Sequence, residues 1–188
     1  MNNFFYNNIM SIFTDKDYKS ADGMLTSIWG PPLWHVLHTI SFNYPVKPSE
    51  EQKKHYYNFY SNIKNILPCK FCRHNLTDNL KSLPLTMNVL TSRLTLSRWV
   101  YDLHEIVNKM LGKKSNLTYD EVRDRYETFR SRCIQSKPLK TPDTKEKGCI
   151  EPLYGIKSKC ILNIVPKKSH KTTFKIDPKC KLHRGSIK

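Results

Sequence analysis

Cys69 and Cys72 are the pair of residues in this chain whose spacing most directly suggests chemistry. They directly follow Pro68, and a short helix is predicted behind that proline, so both thiols would lie in its first turn. There the helix dipole favours the thiolate form of the first cysteine, which makes it reactive at neutral pH. The gap of two residues also lets a disulfide open and close with little movement of the backbone. The sequence therefore predicts a dithiol that cycles between its reduced and oxidised forms.

The same spacing is also half of a common zinc site. Zinc needs four ligands, and His74 could supply the third and a cysteine of the C-terminal segment the fourth. The other cysteines stand singly: Cys133, Cys149, Cys160 and Cys180. The alternative function is thus a zinc-stabilised, basic nucleic-acid-binding protein that uses Cys69 and Cys72 as ligands.

Two predicted helices each carry flat or polar side chains on one face. Trp34 and His38 are four residues apart, as are His104 and Asn108, and residues at this spacing share a helix face. Rings that stack and amides or imidazoles that donate hydrogen bonds are suited to a flat, polar ligand. Each residue taken alone is equally compatible with ordinary packing, so the hypothesis depends on their combination.

The elements that must position these residues are helices, and the predicted fold class is all-α. Apolar residues recur at three- and four-residue spacing in successive segments, which is typical of amphipathic helices. Prolines, a glycine and cap residues mark the ends of these segments. The predicted helices span about 31–43, 49–66, 69–80 and 94–111, and a fifth runs from the Thr118 cap toward Cys133.

Three segments are predicted: a lead-in at 1–27, a helical domain at 28–136 and an irregular, basic, proline-containing C-terminal extension at 137–188. The lead-in would hold a short helix around Phe4 to Phe13. The extension holds 14 Lys and Arg against 4 acids, and its β-prone pieces at 161–165 and 172–176 could form one hairpin.

The whole chain of 188 residues has a net charge of +16, which favours acidic partners but does not choose among them. A weak nucleic-acid contact through the extension is one expectation, and a merely solvated extension is the other. No apolar run is long enough for a membrane span and no secretory signal is expected, so six cysteines favour redox or metal chemistry over a disulfide framework.

Three ordered motifs resemble the ERV/ALR family of FAD-dependent sulfhydryl oxidases. They are Trp29-Gly30-x-x-x-Trp34-x-x-x-His38 followed by Tyr44-Pro45; Leu67-Pro68-Cys69-x-x-Cys72; and Trp99, His104, Asn108 and Leu111-Gly112-Lys113. The resemblance covers about residues 28–133. Because Pro31 follows Trp29-Gly30 in place of an arginine, this chain looks most like the versions of large DNA viruses.

The resemblance implies a four-helix bundle with a short fifth helix, FAD at its mouth and a homodimer. Cys72 would lie against the flavin, and Cys69 would be the outer sulfur that substrate thiols attack. The positions implied in cofactor binding are Gly30, Trp34, His38, His104, Asn108, Leu111, Lys113 and Tyr126. The implied activity is oxidation of substrate dithiols, or of a thioredoxin-like partner, by O2 to give a disulfide and hydrogen peroxide, without a metal. A viral oxidase of this kind would work in the host cytoplasm or the virion.

Two positions depart from the family pattern. Glu105 stands where an asparagine is common, and Tyr101 stands where many members have the first cysteine of a structural disulfide. The fastening of the last helix is therefore expected to be absent or rebuilt, with Cys133 lacking its usual partner. A second, shuttling cysteine pair could be drawn from Cys149, Cys160 and Cys180, although a structural bridge or free thiols would fit them equally well.

Overall fold

The computed structural model describes residues 14–19, 23–134, 148–170 and 174–181. Within these ranges the chain is mostly helical and has one small sheet of two strands, which confirms the predicted all-α class. The elements are α1 (Asp15–Lys19), α2 (Thr26–Phe42), α3 (Glu50–Ile66), α4 (Lys70–Ser82), α5 (Arg93–Met110), α6 (Tyr119–Glu127), β1 (Ser131–Ile134), β2 (Gly148–Pro152) and a 3-10 turn (Pro178–Cys180). None of the helices in the described ranges combines the length and the apolar character that crossing a bilayer requires.

The starts of three helices follow from local sequence. Ser49, Ser92 and Thr118 are the N-cap residues of α3, α5 and α6, and each accepts a hydrogen bond from the backbone N–H three residues later. In each case that later residue bonds back to the cap, which completes a capping box. These starts match the predicted ones because the signal lies within one turn of the chain.

The start of α2 differs from the prediction. The helix begins at Thr26, so Pro31 and Pro32 lie inside it and not at its first turn. Tertiary contacts hold the preceding residues in place: the Met24 N–H donates to the Pro68 carbonyl at 2.7 Å, and the Trp29 ring N–H donates to the Met24 carbonyl at 3.0 Å. These contacts stabilise the extra helical turns that the prolines alone would not predict.

The core lies between α2, α3, α4 and α5, as a bundle requires. Helix α2 packs on α5 and α6, α3 packs on α4, and α4 packs on α5. Leu90, Leu96 and Val100 are almost completely buried. Two tyrosine hydroxyls inside the core are paired: the Tyr60 hydroxyl donates to the Leu37 carbonyl at 2.8 Å, and the Tyr44 hydroxyl donates to the Leu90 carbonyl at 2.9 Å.

A separate cluster fastens α6 to the bundle without a disulfide. The Tyr101 hydroxyl donates to the Leu117 carbonyl at 2.8 Å, just before α6 begins. The Tyr119 and Ser97 hydroxyls lie 2.8 Å apart, and the ring of Tyr119 packs near that of Phe42. Tyr101 thus supplies a hydrogen bond and a ring that fasten the start of α6 to α5.

The predicted fifth helix ends at Glu127 and does not reach Cys133. Residues 131–134 instead form β1, which pairs antiparallel with β2, and a disulfide joins Cys133 to Cys149. This hairpin spans the predicted domain boundary at 136, and the three-segment division stays a prediction.

The hairpin predicted at 161–165 and 172–176 was wrong for its first strand, because 161–165 has no regular secondary structure. Residues 172 and 173, like the helix predicted around Phe4 to Phe13, lie outside the described residues. The segment after β2 is instead tied to other parts of the chain: the Leu153 N–H donates to the Arg130 carbonyl at 2.9 Å, and the Ile156 N–H donates to the Lys179 carbonyl at 3.3 Å.

Candidate functional site at the Cys69–Cys72 disulfide and the Trp34 ring cluster

Cys69 and Cys72 form a disulfide at the start of α4. Cys69 is the N-cap residue, with extended backbone, and its sulfur accepts a hydrogen bond from the Cys72 N–H at 3.1 Å. The predicted third helix therefore begins one residue later than expected, with the first thiol at its cap. A sulfur at this position faces the unpaired N–H groups and the positive end of the helix dipole, which stabilise negative charge.

The residues before α2 cover one side of this pair. Gly23 forms an isolated antiparallel bridge with Cys69, and its φ of +111° suits glycine. A Cβ atom at Gly23 would come within 2.5 Å of the Pro68 carbonyl oxygen, so no larger residue fits this approach. At the start of α2, the Thr26 hydroxyl lies 3.9 Å from the Cys72 sulfur. The sequence did not predict these contacts of Gly23 and Thr26 with the cysteine pair, because the contacting residues are distant in the chain.

Four of the predicted ring residues come together where α2, α5 and α6 meet. The indole of Trp34 stacks on the His104 imidazole with centroids 4.0 Å apart and planes 5° from parallel. His38 Nε2 lies 3.0 Å from His104 Nδ1, and the Tyr126 ring stacks on His38 at 5.1 Å. Helices α2, α5 and α6 thus each supply part of one cluster, which we call the Trp34 ring cluster: Trp34, His38, His104 and Tyr126.

Burial keeps both imidazoles of this cluster uncharged. It lowers the pKa of His38 to about 3, with further lowering from His104 and His35. Burial also lowers the pKa of His104 to about 4, although the nearby Glu105 carboxylate acts in the opposite direction. Burial raises the pKa of the Tyr126 hydroxyl. At neutral pH the cluster therefore presents neutral rings that stack and exchange hydrogen bonds.

The two ring nitrogens of His38 differ in their hydrogen bonding. Its Nε2 pairs with His104, but its Nδ1 has no hydrogen-bond partner among the described residues. A buried polar atom without a partner costs free energy, and such atoms are few in native structures. The atom is therefore suited to a ligand that brings a donor or an acceptor.

The remaining predicted site residues are not part of the ring cluster. The Asn108 side chain donates to a Glu105 carboxylate oxygen at 2.9 Å, and the exposed Leu111 and Lys113 follow the end of α5. Gly30 lies on α2, where an added Cβ would come no nearer than 3.7 Å to a neighbouring side-chain atom, so packing does not require glycine there.

Sequence reasoning missed two ring residues beside the cluster. The Phe42 ring stacks on Tyr126 at 5.4 Å and 7°, and His35 Nδ1 lies 3.4 Å from the Tyr126 hydroxyl. Phe42 is four residues after His38 and eight after Trp34, so helical spacing could have identified it. His35 has no such signal, because its contact is with a helix that comes much later in the chain.

The arrangement fits the flat cofactor that the family resemblance implies. The cluster offers stacking surfaces from neutral rings and the partnerless His38 Nδ1, and Lys113 is a cation at the nearby end of α5. A zinc site receives no such support: in the described ranges no group of three His, Cys, Asp or Glu could hold a metal ion, and Cys69 is bonded to Cys72.

Comparison with known proteins identifies the family of this chain. The family model described as Erv1 / Alr family matches residues 31–127, more than half of the chain. A probable FAD-linked sulfhydryl oxidase of Acanthamoeba polyphaga mimivirus is 44% identical over 93 residues, which make up 50% of this chain and 64% of that protein. An FAD-linked sulfhydryl oxidase of African swine fever virus (isolate Pig/Kenya/KEN-50/1950) is 31% identical over 99 residues, 53% of this chain and 80% of that protein.

The likeness extends to solved structures. The crystal structure of the FAD binding domain of Erv1 from Saccharomyces cerevisiae matches with a TM-score of 0.50 and 26% identity, and the match covers 55% of this chain and 94% of that one. The chain spans less than two thirds of the mimivirus relative, so the match concerns the helical part that carries the site. On the family match, the three motifs and the fold, this chain belongs to the Erv1/Alr family.

Proposed function

We propose that this protein is an FAD-dependent thiol oxidase that forms disulfide bonds in substrate proteins. One observation carries the proposal: Cys72 and Trp34 pack against the same buried core, so a disulfide at a helix N-terminus lies on the bundle that bears a stacked ring site. The names of the mimivirus and African swine fever virus relatives support the same activity.

The first step is thiol–disulfide exchange at Cys69. A substrate thiolate attacks the Cys69 sulfur, a new S–S bond forms, and the bond to Cys72 breaks so that Cys72 leaves as a thiolate. A second substrate thiolate attacks the substrate sulfur of this mixed disulfide and releases Cys69 as a thiolate. The substrate has then lost two electrons and two protons, and the reduced pair holds the electrons. The Cys72 N–H, 3.1 Å from the Cys69 sulfur, is placed to stabilise the Cys69 thiolate.

The cofactor would be held by Trp34, His38, His104 and Tyr126, and by Asn108 and Lys113 at the end of α5. Gly30 and Leu111 complete the positions that the family resemblance implies. When bound, FAD supplies the two-electron acceptor that restores the Cys69–Cys72 disulfide and passes the electrons to O2, which yields hydrogen peroxide. The chain's own part is to stack on the cofactor, to offer the uncharged His38 as a partner, and to hold Cys72 against the core.

The substrates would be dithiols of proteins or of a thioredoxin-like partner. Exposed apolar side chains near the pair support a protein substrate: Met24, Ile66 and Phe71 are each at least 70% exposed. Phe71 lies between the two cysteines, and Met24 bonds to Pro68 just before them. A homodimer and a location in the host cytoplasm or the virion are part of the same proposal, and the viral relatives support the viral setting.

The second candidate, a zinc-stabilised nucleic-acid-binding protein, has no supporting observation in the described residues beyond the basic charge. A weak contact of the extension with nucleic acid stays a prediction. A DNA mobility shift that disappears at higher salt and on deletion of residues 137–188 would test it.

The experiment that tests the oxidase is the visible spectrum of the purified chain, followed by peroxide detection after dithiothreitol is added in air. We expect flavin absorption and peroxide formation, with peroxide lost in Cys72→Ser and retained in Cys160→Ser, since Cys160 is an exposed free thiol. A colourless chain that cannot be loaded with FAD and that releases zinc to a chelator would contradict the proposal and favour the second candidate.

A further inference from the structure

The ring of Phe174, in the last described segment (174–181), packs against aromatic rings of the bundle. Its centroid lies 4.9 Å from that of His35 on α2 and 6.4 Å from that of Phe129, which follows α6. The Arg125 guanidinium lies 5.5 Å from the centre of the ring, within the range of a cation–π contact. A residue of the C-terminal extension therefore packs against both α2 and α6.

The extension is held in this position by backbone contacts. The Leu153 N–H donates to the Arg130 carbonyl, and the Ile156 N–H donates to the Lys179 carbonyl. Gly155, with φ of +68°, fits closely against the backbone of Lys179 and Cys180, where an added Cβ would come within 2.7 Å of the Lys179 carbonyl oxygen. The segment that carries Phe174 is thus tied to the chain that leaves α6.

His35 connects Phe174 to the Trp34 ring cluster. The His35 ring contacts Phe174 on one side, and its Nδ1 lies 3.4 Å from the Tyr126 hydroxyl on the other. Tyr126 in turn stacks on His38, whose buried Nδ1 has no partner among the described residues. Phe174 therefore lies one ring away from the proposed cofactor site, at its Tyr126 end.

We infer that Phe174 supports the Tyr126 end of the proposed FAD site from behind His35 and slows release of the cofactor, so that the C-terminal extension contributes to cofactor binding. This inference rests on the proposed function. Phe174 is a positioning residue: it acts through His35 and Arg125, which it covers, and these lie against or beside Tyr126. Without the ring, His35 gains water and Tyr126 loses part of its support.

The test compares FAD release from the loaded full-length chain and its variants after dilution into FAD-free buffer, followed by the rise in free-flavin fluorescence. Phe174→Ala removes the ring, Phe174→Tyr keeps it, and Ile164→Ala is the matched control, since Ile164 is 75% exposed in the same extension. From the usual strength of aromatic contacts we expect release about 3- to 10-fold faster in Phe174→Ala. Phe174→Tyr and Ile164→Ala should release FAD at the wild-type rate.

A second readout does not depend on the cofactor. Burial lowers the pKa of His35, so loss of the Phe174 ring should return that pKa toward its ordinary value, as followed by NMR of the imidazole protons. Phe174→Ala that releases FAD at the wild-type rate, or Ile164→Ala that releases it equally fast, would overturn the inference alone. A wild-type chain that takes up no FAD would overturn the proposed function and this inference with it.

Discussion

The two disulfides of the described residues lie in opposite kinds of surroundings. Cys69–Cys72 closes a loop of sequence separation 3 at a helix N-terminus, and Cys72 packs against the bundle core. Cys133–Cys149 closes a loop of separation 16 and joins two strands of a hairpin through exposed cysteines. The first bond lies where a helix end stabilises a thiolate, whereas the second lies where two neighbouring strands have to be held together. The same covalent chemistry is thus suited to turnover in one place and to fastening in the other.

A similar contrast separates the Trp34 ring cluster from the contacts that fasten the start of α6, which we call the fastening region. The Trp34 ring cluster contains two uncharged histidines, of which His38 is buried and His104 half-buried, and His38 Nδ1 lacks a partner among the described residues. In the fastening region, the Tyr101 and Tyr119 hydroxyls are paired at 2.8 Å with Leu117 and Ser97. A buried polar atom without a partner costs stability, whereas the paired hydroxyls of the fastening region contribute to it.

The largest expected effect is on turnover. Cys69→Ser with Cys72→Ser should reduce dithiothreitol oxidation to the background rate, because no exchangeable disulfide is left at the helix start. Cys133→Ser with Cys149→Ser should leave the rate unchanged, as measured by peroxide formation. An equal loss in the second pair would show that the hairpin disulfide takes part in electron transfer and would remove the contrast.

The next effect is on local stability. Closing a loop of separation 16 is worth about 3 kcal/mol in the chain-entropy picture. Cys133→Ser with Cys149→Ser should therefore lower the free energy of opening of the hairpin by about this amount, measured by hydrogen exchange at β1 and β2 amides. Amides of α3 and α5, which do not belong to the hairpin, serve as the internal control. A comparable loss of protection in those helices would mean that the hairpin supports the whole bundle.

The sequence predicts best those features, such as helix starts, that depend on residues within one helical turn of each other. Ser49 and Pro68 enclose α3, and Pro68 places Cys69 at the cap of α4, so the start of each element could be read locally. The grouping of Trp34, His38 and His104 was also accessible, because helical spacing fixes which residues share a face and the family resemblance supplied the facing helix.

The features that could not be predicted depend on distant partners. The early start of α2 depends on the bond from Met24 to Pro68. The strand at 131–134 depends on β2 and its cysteine, and helical periodicity extended α6 through it instead. The contact between His35 and Phe174 joins the first bundle helix to the extension, and no spacing rule links them.

The third prediction concerns pH. Unfolded histidine has a pKa near 6.5, while burial lowers the pKa of folded His38 to about 3. Between these values the unfolded chain takes up a proton that folded His38 does not, so stability is present above pH 6.5 and is lost as pH falls. From about pH 7 to about pH 5, His38 should account for about 2 kcal/mol of lost unfolding free energy, measured by urea titration.

The matched control for this loss is His55→Gln, because the His55 side chain is 69% exposed and pairs with Glu51 on the same helix. We expect the pH dependence of unfolding to persist in His55→Gln and to become shallower in His38→Gln. If His38→Gln does not fold, an NMR titration of the wild-type imidazoles tests the same prediction. A His38 that titrates near its ordinary pKa would show that the Trp34 ring cluster is hydrated.

The smallest effect tests the Tyr101 contacts that fasten the start of α6 to α5. Tyr101→Phe keeps the ring, which packs edge-on against Tyr119 at 5.8 Å, but removes the hydroxyl that bonds to Leu117. The loss should be about 1 kcal/mol in the free energy of unfolding, measured by urea titration, with exposed Tyr57→Phe unchanged as the control. No loss in Tyr101→Phe would assign the fastening to ring packing alone. A loss of unfolding free energy close to that expected for the hairpin disulfide would mean that this one hydrogen bond stabilises the fold as much as the disulfide does. The contrast between fastening by disulfide and fastening by tyrosine would then disappear.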